Sequence, residues 1–146
     1  MAETLGSLVD KLSILKLKQY HSDDYNRLTS LEKQELQLVG EIDEYITGVF
    51  SGEIAIERLS FESNKVYKKE GNAVNEVVGS IGTIASNLAH INCQLWHVQE
   101  KVYKFENVPA NEKNNVVKQL AVLNLERTKC IDEIDQKLVT TLNSNL

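Results

Sequence analysis

Seven polar or aromatic residues in the C-terminal half of the chain are the best candidates for chemistry. They are His90, Asn92, Trp96, His97, Glu100, Asn124 and Arg127. An arginine can hold a carboxylate or a phosphate through two parallel hydrogen bonds, and histidine and asparagine side chains can add further bonds. Two interpretations stay open: a pocket for a small anionic ligand, or a buried polar network that fixes how the helices pack.

The elements that must position these residues are two long helices, predicted over 72–106 and 110–141. The chain is expected to turn back on itself between them, so the helices pack antiparallel. Reflection through that turn places Asn92 and His90 opposite Arg127. The sequence therefore predicts that the two groups of candidate residues meet between the helices.

The candidate residues also form a pattern along the chain: Trp-His-x-x-Glu, then Leu-Asn-x-x-Arg, then Ile-Asp-x-x-Asp. This pattern resembles a family of uncharacterised bacterial helical proteins that tend to be encoded near sugar-transfer and surface-polysaccharide genes. The residues that carry the resemblance are Asn92, Trp96, His97, Glu100, Asn124, Arg127, Asp132 and Asp135. The family has a second acid after its Glu, where this chain has Lys101. The resemblance implies a helical fold more than a particular activity.

Other kinds of site find little support. His97 and Glu100 are three residues apart, as metal ligands on bundle helices are, but the paired Glu-x-x-His motifs of a di-iron bundle are missing. Cys93 and Cys130 have no metal-type spacing, and the chain contains no P-loop, dinucleotide fingerprint or nucleophile elbow. We therefore expect no catalytic residues, no metal and no cofactor.

Composition narrows the possible partners. A net charge of −5 argues against a nucleic-acid surface, because neutralising phosphates requires clustered Lys and Arg. The uncharged run 77–99 is long enough to cross a bilayer, but its Ser, Thr, Asn, Gln and His residues make it too polar for lipid. The N-terminus lacks the features of a signal peptide. We expect a cytoplasmic protein without a membrane partner.

Hydrophobic periodicity predicts an all-α fold, a four-helix-bundle-like up-down domain formed by residues 1–146. The helices are expected over 4–21, 30–47, 72–106 and 110–141, with an irregular insert at about 50–71 that is either a short helix or a strand pair. Thr4 is the expected N-cap of the first helix. The second helix is expected to start at the capping box Thr29-Ser-Leu-Glu32 and to end at Gly48.

The helix predicted over 72–106 is expected to be the centre of the fold. Its apolar residues keep heptad spacing, and the absence of charge over 77–99 predicts that it is covered on more than one side. Gly79 and Gly82 indicate either close packing or a kink. The helices over 4–21 and 30–47 are each about half as long as this seam, so we expect a second copy of the chain to cover part of it and form a homodimer.

Two functions remain after these exclusions. The first is a non-enzymatic helical interaction or assembly protein, which the long uncharged helix and the missing catalytic set favour. The second is a protein that binds a small anionic ligand, such as a sugar phosphate, or that accompanies a transferase. It would use the Trp96, His97 and Arg127 region for this purpose.

Overall fold

The computed structural model describes residues 2–61 and 77–144, and it confirms the all-α, bundle-like fold. The four helices are α1 (Leu5–Tyr20), α2 (Tyr25–Ser51), α3 (Ile81–Tyr103) and α4 (Lys113–Ser144). Short 3-10 turns at Ile56–Arg58 and Phe105–Asn107 follow α2 and α3. The described part of the predicted insert therefore contains a helical turn, and residues 62–71 lie outside the described ranges.

The helix α1 begins where the sequence predicts, after the N-cap residue Thr4. Thr4 is the N-cap, and its hydroxyl accepts a hydrogen bond from the Ser7 amide while the Ser7 hydroxyl accepts one from the Thr4 amide. This reciprocal pair satisfies two backbone donors that the first turn of a helix leaves free. His21–Asp24 then connects α1 to α2.

The predicted start of the second helix is wrong. The helix begins at Tyr25, where Asp24 accepts a hydrogen bond from the Asn26 amide, and Thr29 lies inside the helix. The Thr29 hydroxyl donates to the Tyr25 carbonyl instead of capping. Because Asp is as good an N-cap as Thr, the earlier cap is available and the helix gains another turn.

The predicted end at Gly48 is also wrong. The helix continues to Ser51 and ends at Gly52, whose φ of 82° lies in the left-handed region that glycine adopts without strain. Gly48 is buried because the chain folds back over it: the Ile54 amide donates to the Gly48 carbonyl, and the Ile54 side chain packs where a Cβ would be.

The long third helix is shorter than predicted. It begins at Ile81, with Ser80 as its N-cap, and residues 77–80 are not helical. Gly79 has a φ of 116°, so it neither packs within a helix nor kinks one; it sets the backbone that leads into α3. Residues 72–76 lie outside the described ranges. The last helix starts and ends a few residues later than predicted, at Lys113 and Ser144.

The centre of the fold is α1 rather than α3. Among the described helices, only α1 packs closely against all three of the others, and α2 packs mainly against α1. Residues 6 and 10 of α1 contact residues 135 and 127 of α4, so these helices run antiparallel. Residues 13 and 21 contact residues 92 and 96, so α1 and α3 run parallel.

Two helices, α1 and α4, cover α3, but one side of it stays exposed. Ile84, Leu88, Ile91 and Val98 are buried, whereas Ala89, Cys93 and Gln94 are exposed. The length argument for a dimer fails, because α2 has 27 residues and α3 has 23. The uncharged surface of α3 faces outward, so burial within the chain does not explain why it lacks charged residues.

The closest approach between two helices is at Gly6. A Cβ built on this residue would lie 2.4 Å from the Ile131 carbonyl oxygen and 3.0 Å from a carboxylate oxygen of Asp135. Backbone cannot yield as a flexible side chain can. The first turn of α1 therefore lies against α4 only because residue 6 has no side chain.

We predict that Gly6→Ala destabilises the protein by about 2–4 kcal/mol, because the new methyl group collides with α4 backbone. Gly40→Ala is the matched control: it lies inside α2 with nothing within 4 Å of its Cβ position. There the better helix propensity of alanine should stabilise the protein by up to about 1 kcal/mol. Urea unfolding of both variants measures the difference, and equal effects of the two substitutions would contradict the close contact.

Candidate functional site

A polar network in the core joins three helices, and its centre, Asp10, is not one of the seven candidate residues. Asp10 on α1 is 4% exposed. Arg127 on α4 donates from Nε to Oδ1 at 2.9 Å and from Nη2 to Oδ2 at 2.6 Å, so the ion pair is bidentate. Asn92 on α3 donates from Nδ2 to the same Oδ1 at 3.0 Å, and at 3.4 Å to the Ser13 hydroxyl.

The chemistry of this network follows from its pairing. Both carboxylate oxygens of Asp10 accept hydrogen bonds, so the buried charge is compensated. The hydrogen bonds that Arg127 donates to Asp10 raise the pKa of Arg127 above its usual value despite the opposing effect of burial. An external anion would have to replace Asp10 or approach beside a carboxylate that repels it.

The structure brings together only two of the seven predicted site residues. Asn92 and Arg127 both donate hydrogen bonds to Asp10, which agrees with the prediction that they lie close together. The others make none of the network's hydrogen bonds, and four of them are exposed: His90, His97, Glu100 and Asn124. The described arrangement is therefore a helix-joining network with exposed polar residues around it.

Trp96 has a different histidine neighbour from the one beside it in sequence. Its ring stacks on His21, at the end of α1, with ring centroids 4.6 Å apart and planes 19° apart. The His21 Nδ1 atom is 2.8 Å from the Leu17 carbonyl oxygen. This stack ties the end of α1 to α3. His21 is not among the seven candidate residues, because a single histidine at the end of a predicted helix belongs to no motif.

A second buried carboxylate lies near the start of α1. Asp135 is 5% exposed and accepts a hydrogen bond from the Gly6 amide at 2.8 Å. Burial raises its pKa to about 6, and hydrogen bonds from Gly6 and Thr4 only partly oppose that rise. Burial and the nearby Asp135 also raise the pKa of Tyr45, whose hydroxyl oxygen is buried without a partner among the described residues. A carboxylate at a helix N-terminus also suits the helix dipole.

A groove of about 720 Å³ runs between α1 and α3 on the surface. Its lining is mostly apolar and comes from both helices: Val9, Leu12, Leu17, Ala85, Ala89 and Cys93 contribute, with Ser13, Lys16, Gln19 and Tyr20. The Cys93 thiol is free and exposed, whereas Cys130 is free and buried, and burial raises its pKa to about 11. Only Cys93 is available to an external reagent.

Known proteins give no guide to the function of this chain. No family model matches the chain, and no match was found among curated proteins or among solved structures. Within residues 2–61 and 77–144, no three His, Cys, Asp or Glu side chains are grouped closely enough to hold a metal ion. None of the described helices combines the length and the apolar character of a membrane span.

We predict strong energetic coupling between Asp10 and Arg127. Arg127→Met leaves the buried Asp10 carboxylate without its cation and should cost about 3–5 kcal/mol of stability. Asp10→Leu should cost less, because the Arg127 side chain that it leaves unpaired is 33% exposed. The double variant removes both charges and should cost less than the sum of the two, with a coupling energy of about 2 kcal/mol or more by urea unfolding.

The matched control is the exposed pair of Lys16 and Glu35, whose atoms are 2.9 Å apart across α1 and α2. The same double-mutant cycle with Lys16→Met and Glu35→Leu should show a coupling too small to resolve, since solvent screens an exposed pair. Equal coupling in the two cycles would contradict a structural role that depends on burial.

We predict that Asp135 makes stability fall as the pH rises from about 4 to about 6. The folded pKa of about 6 lies above the ordinary value of 3.8, so the folded state binds more protons in this window. The contribution of Asp135 to stability is therefore fully present below the pKa of the unfolded state. It is lost as the pH rises through the pKa of the folded state. Asp135→Asn removes the titration.

The measurement is the difference in unfolding free energy between wild type and D135N, from urea titrations at pH 4, 5, 6 and 7. The unfolding free energy of wild type, relative to that of D135N, should decrease as the pH rises to about 6 and then stay constant. Glu3 and Glu35, whose pKa values are lowered by their hydrogen bonds, chiefly to Lys11 and Gln19 respectively, act in the opposite direction but cancel because both proteins contain them. A difference that moves toward wild type as the pH rises would contradict the buried position of Asp135.

Proposed function

We propose that this chain is a non-enzymatic helical assembly protein that forms a homodimer through the outward face of α3 and its groove with α1. The observation that carries the proposal is the absence of charge on this face. Residues 81–99 contain no Asp, Glu, Lys or Arg, although a quarter of the chain's residues are charged. Residues on one side of this segment are nevertheless exposed over several helical turns, including Ser86, Ala89, Cys93 and His97.

Charge depletion of this kind is typical of the centre of a protein–protein interface. A surface that only has to stay dissolved normally carries charges of both signs. Small residues on the same face, including Ser86, Ala89 and Cys93, allow another helix to approach closely. The groove beside them offers apolar area to bury.

A second copy of the chain suits this face for an electrostatic reason. Each copy has a net charge of −5, so most surfaces of two copies repel each other. The exposed face of α3 over residues 81–99 carries no charge and the groove lining has Lys16 as its one charged residue, so contact here places few like charges together. In a two-fold symmetric pair, α3 of each copy would lie along the α1–α3 groove of the other, so the same residues serve on both sides. Two free thiols support a reducing compartment, and we place the protein in the cytoplasm.

The second candidate is a site for a small anion such as a sugar phosphate, as the family resemblance suggests. The observation in its favour is that the Arg127 side chain is 33% exposed. It has weaker support than the assembly proposal because the guanidinium already holds Asp10 with two hydrogen bonds. It predicts that millimolar phosphate raises the melting temperature and that Arg127→Lys abolishes this rise.

We predict that Ala89→Glu converts the dimer to a monomer in sedimentation equilibrium, because it buries an unpaired carboxylate in the interface. Ala121→Glu is the matched control, since Ala121 is an exposed alanine on α4 outside the groove. It should leave the dimer intact. A thiol-reactive bifunctional reagent should join wild-type copies through Cys93 but not the Cys93→Ser variant. A wild-type monomer at about 100 μM, a concentration that populates even a modest interface, would overturn the proposal.

A further inference from the structure

A long exposed apolar feature lies on α2, outside the α1–α3 groove. Leu36, Val39, Ile46 and Phe50 share one face, with Leu36 and Phe50 76% and 75% exposed. Together with Asp43 they keep spacings of three and four residues, and we call these five residues the outer α2 stripe. That spacing is the pattern by which a helix pairs with another helix.

The inner face of α2 is already used by its own fold. Leu31, Leu38, Ile42, Tyr45 and Val49 are buried or half-buried. The outer α2 stripe lies one residue further along at most of these positions, which is about 100° around the helix. The stripe is therefore a second apolar face, and α2 has no other close helical neighbour than α1 among the described residues.

The charges on and around the stripe are acidic except for Lys33, which follows Glu32 at the N-terminal end. Asp43 lies within the stripe, and Glu32 extends it by one turn toward the N-terminus; both are exposed. Between residues 34 and 53 the chain has five acidic residues and no Lys or Arg: Glu35, Glu41, Asp43, Glu44 and Glu53. Of these, Glu35 is paired with Lys16 of α1, whereas neither Asp43 nor Glu32 forms an ion pair with another described residue.

We propose that the outer α2 stripe binds an amphipathic basic helix of another protein. Leu36, Val39, Ile46 and Phe50 supply the apolar contact, and Asp43 and Glu32 select lysines or arginines on the partner. From Glu32 to Phe50 the face is about 27 Å long at 1.5 Å per residue, so the partner helix needs about five turns.

Charge complementarity selects this occupant over two others. A second copy of the chain would bring its own acidic stripe against this one, and like charges at a helix interface are repulsive. An anionic membrane surface would meet the same repulsion, because such surfaces attract Lys and Arg. A basic helix gains both the apolar burial and the charge pairing.

The test uses two synthetic peptides labelled with fluorescein, each of about three heptads with leucine at the a and d positions. One has lysine at the flanking e and g positions, and the other has glutamate. Fluorescence anisotropy should show that wild-type protein binds the lysine peptide at least about tenfold more tightly than the glutamate peptide. The double variant Glu32→Lys and Asp43→Lys should reverse this preference.

Two matched controls separate the site from general electrostatic attraction. Glu106→Lys with Glu112→Lys makes the same change in net charge on exposed residues elsewhere, and it should keep the wild-type preference. Leu36→Ser with Phe50→Ser should weaken binding of the lysine peptide about tenfold or more, whereas Val117→Ser, an exposed apolar residue on α4, should not. Circular dichroism verifies that each variant keeps its helices.

The outcomes that would overturn this inference are distinct from those that bear on the homodimer. Equal affinity for the two peptides, no binding of either, or binding to phosphatidylserine vesicles in their place would each refute it. Dissociation of the dimer by Leu36→Ser with Phe50→Ser would also refute it, since the stripe would then be a self-association surface. The Ala89→Glu variant should still bind the lysine peptide, so the two surfaces can be tested separately.

Discussion

The fold depends on one buried carboxylate. Asp10 is almost fully removed from water, and a charge in that position is tolerable only while its oxygens accept hydrogen bonds. Arg127 and Asn92 supply those bonds from α4 and α3, so a single residue of α1 fixes the position of two other helices. A slip of any of the three helices by one turn would leave the charge unpaired. Hydrophobic stripes alone do not exclude such a slip.

A second set of contacts, at the start of α1, works in the same direction. Gly6 lets α1 approach the backbone of α4 closely. The Asp135 carboxylate accepts a hydrogen bond from the Gly6 amide, which has no acceptor within the first turn of the helix. These contacts lie one turn from Asp10 along α1. Together they explain why α1, which is the shortest of the four helices, is nevertheless the one that packs against all the others.

The sequence predicted the fold class, the cap at Thr4 and the meeting of Asn92 with Arg127. It did not predict Asp10, which belongs to no motif and is followed by Lys11 in the sequence. The available signal was that Asp10 is the one acid in α1: an acid in a helix with many apolar residues needs a cation when it is buried, and Arg127 is a candidate. Helix boundaries failed for a different reason. Periodicity continues through Val77, but the left-handed backbone at Gly79 prevents the helix from including it.

The position of α3 shows what a sequence pattern leaves open. A helix without charges was expected to be buried, yet its uncharged side lies on the surface of the chain. Sequence patterns report which residues avoid water, but they do not report whether the chain itself or another molecule covers them. The polar network around Arg127 is closed by Asp10, so the surfaces of α3 and α2 are the better guides to function. On this account the core network gives the domain its shape, and the helix faces give it its partners.

Hydrogen–deuterium exchange, measured at low and high protein concentration with and without phosphate, tests this account most directly. Amides protected only through association report the interface, and those protected by phosphate report an anion site. We expect protection within residues 81–99 to rise with protein concentration and to be unaffected by phosphate. Protection that is independent of concentration, with phosphate slowing exchange around Arg127, would contradict the account and favour the ligand site.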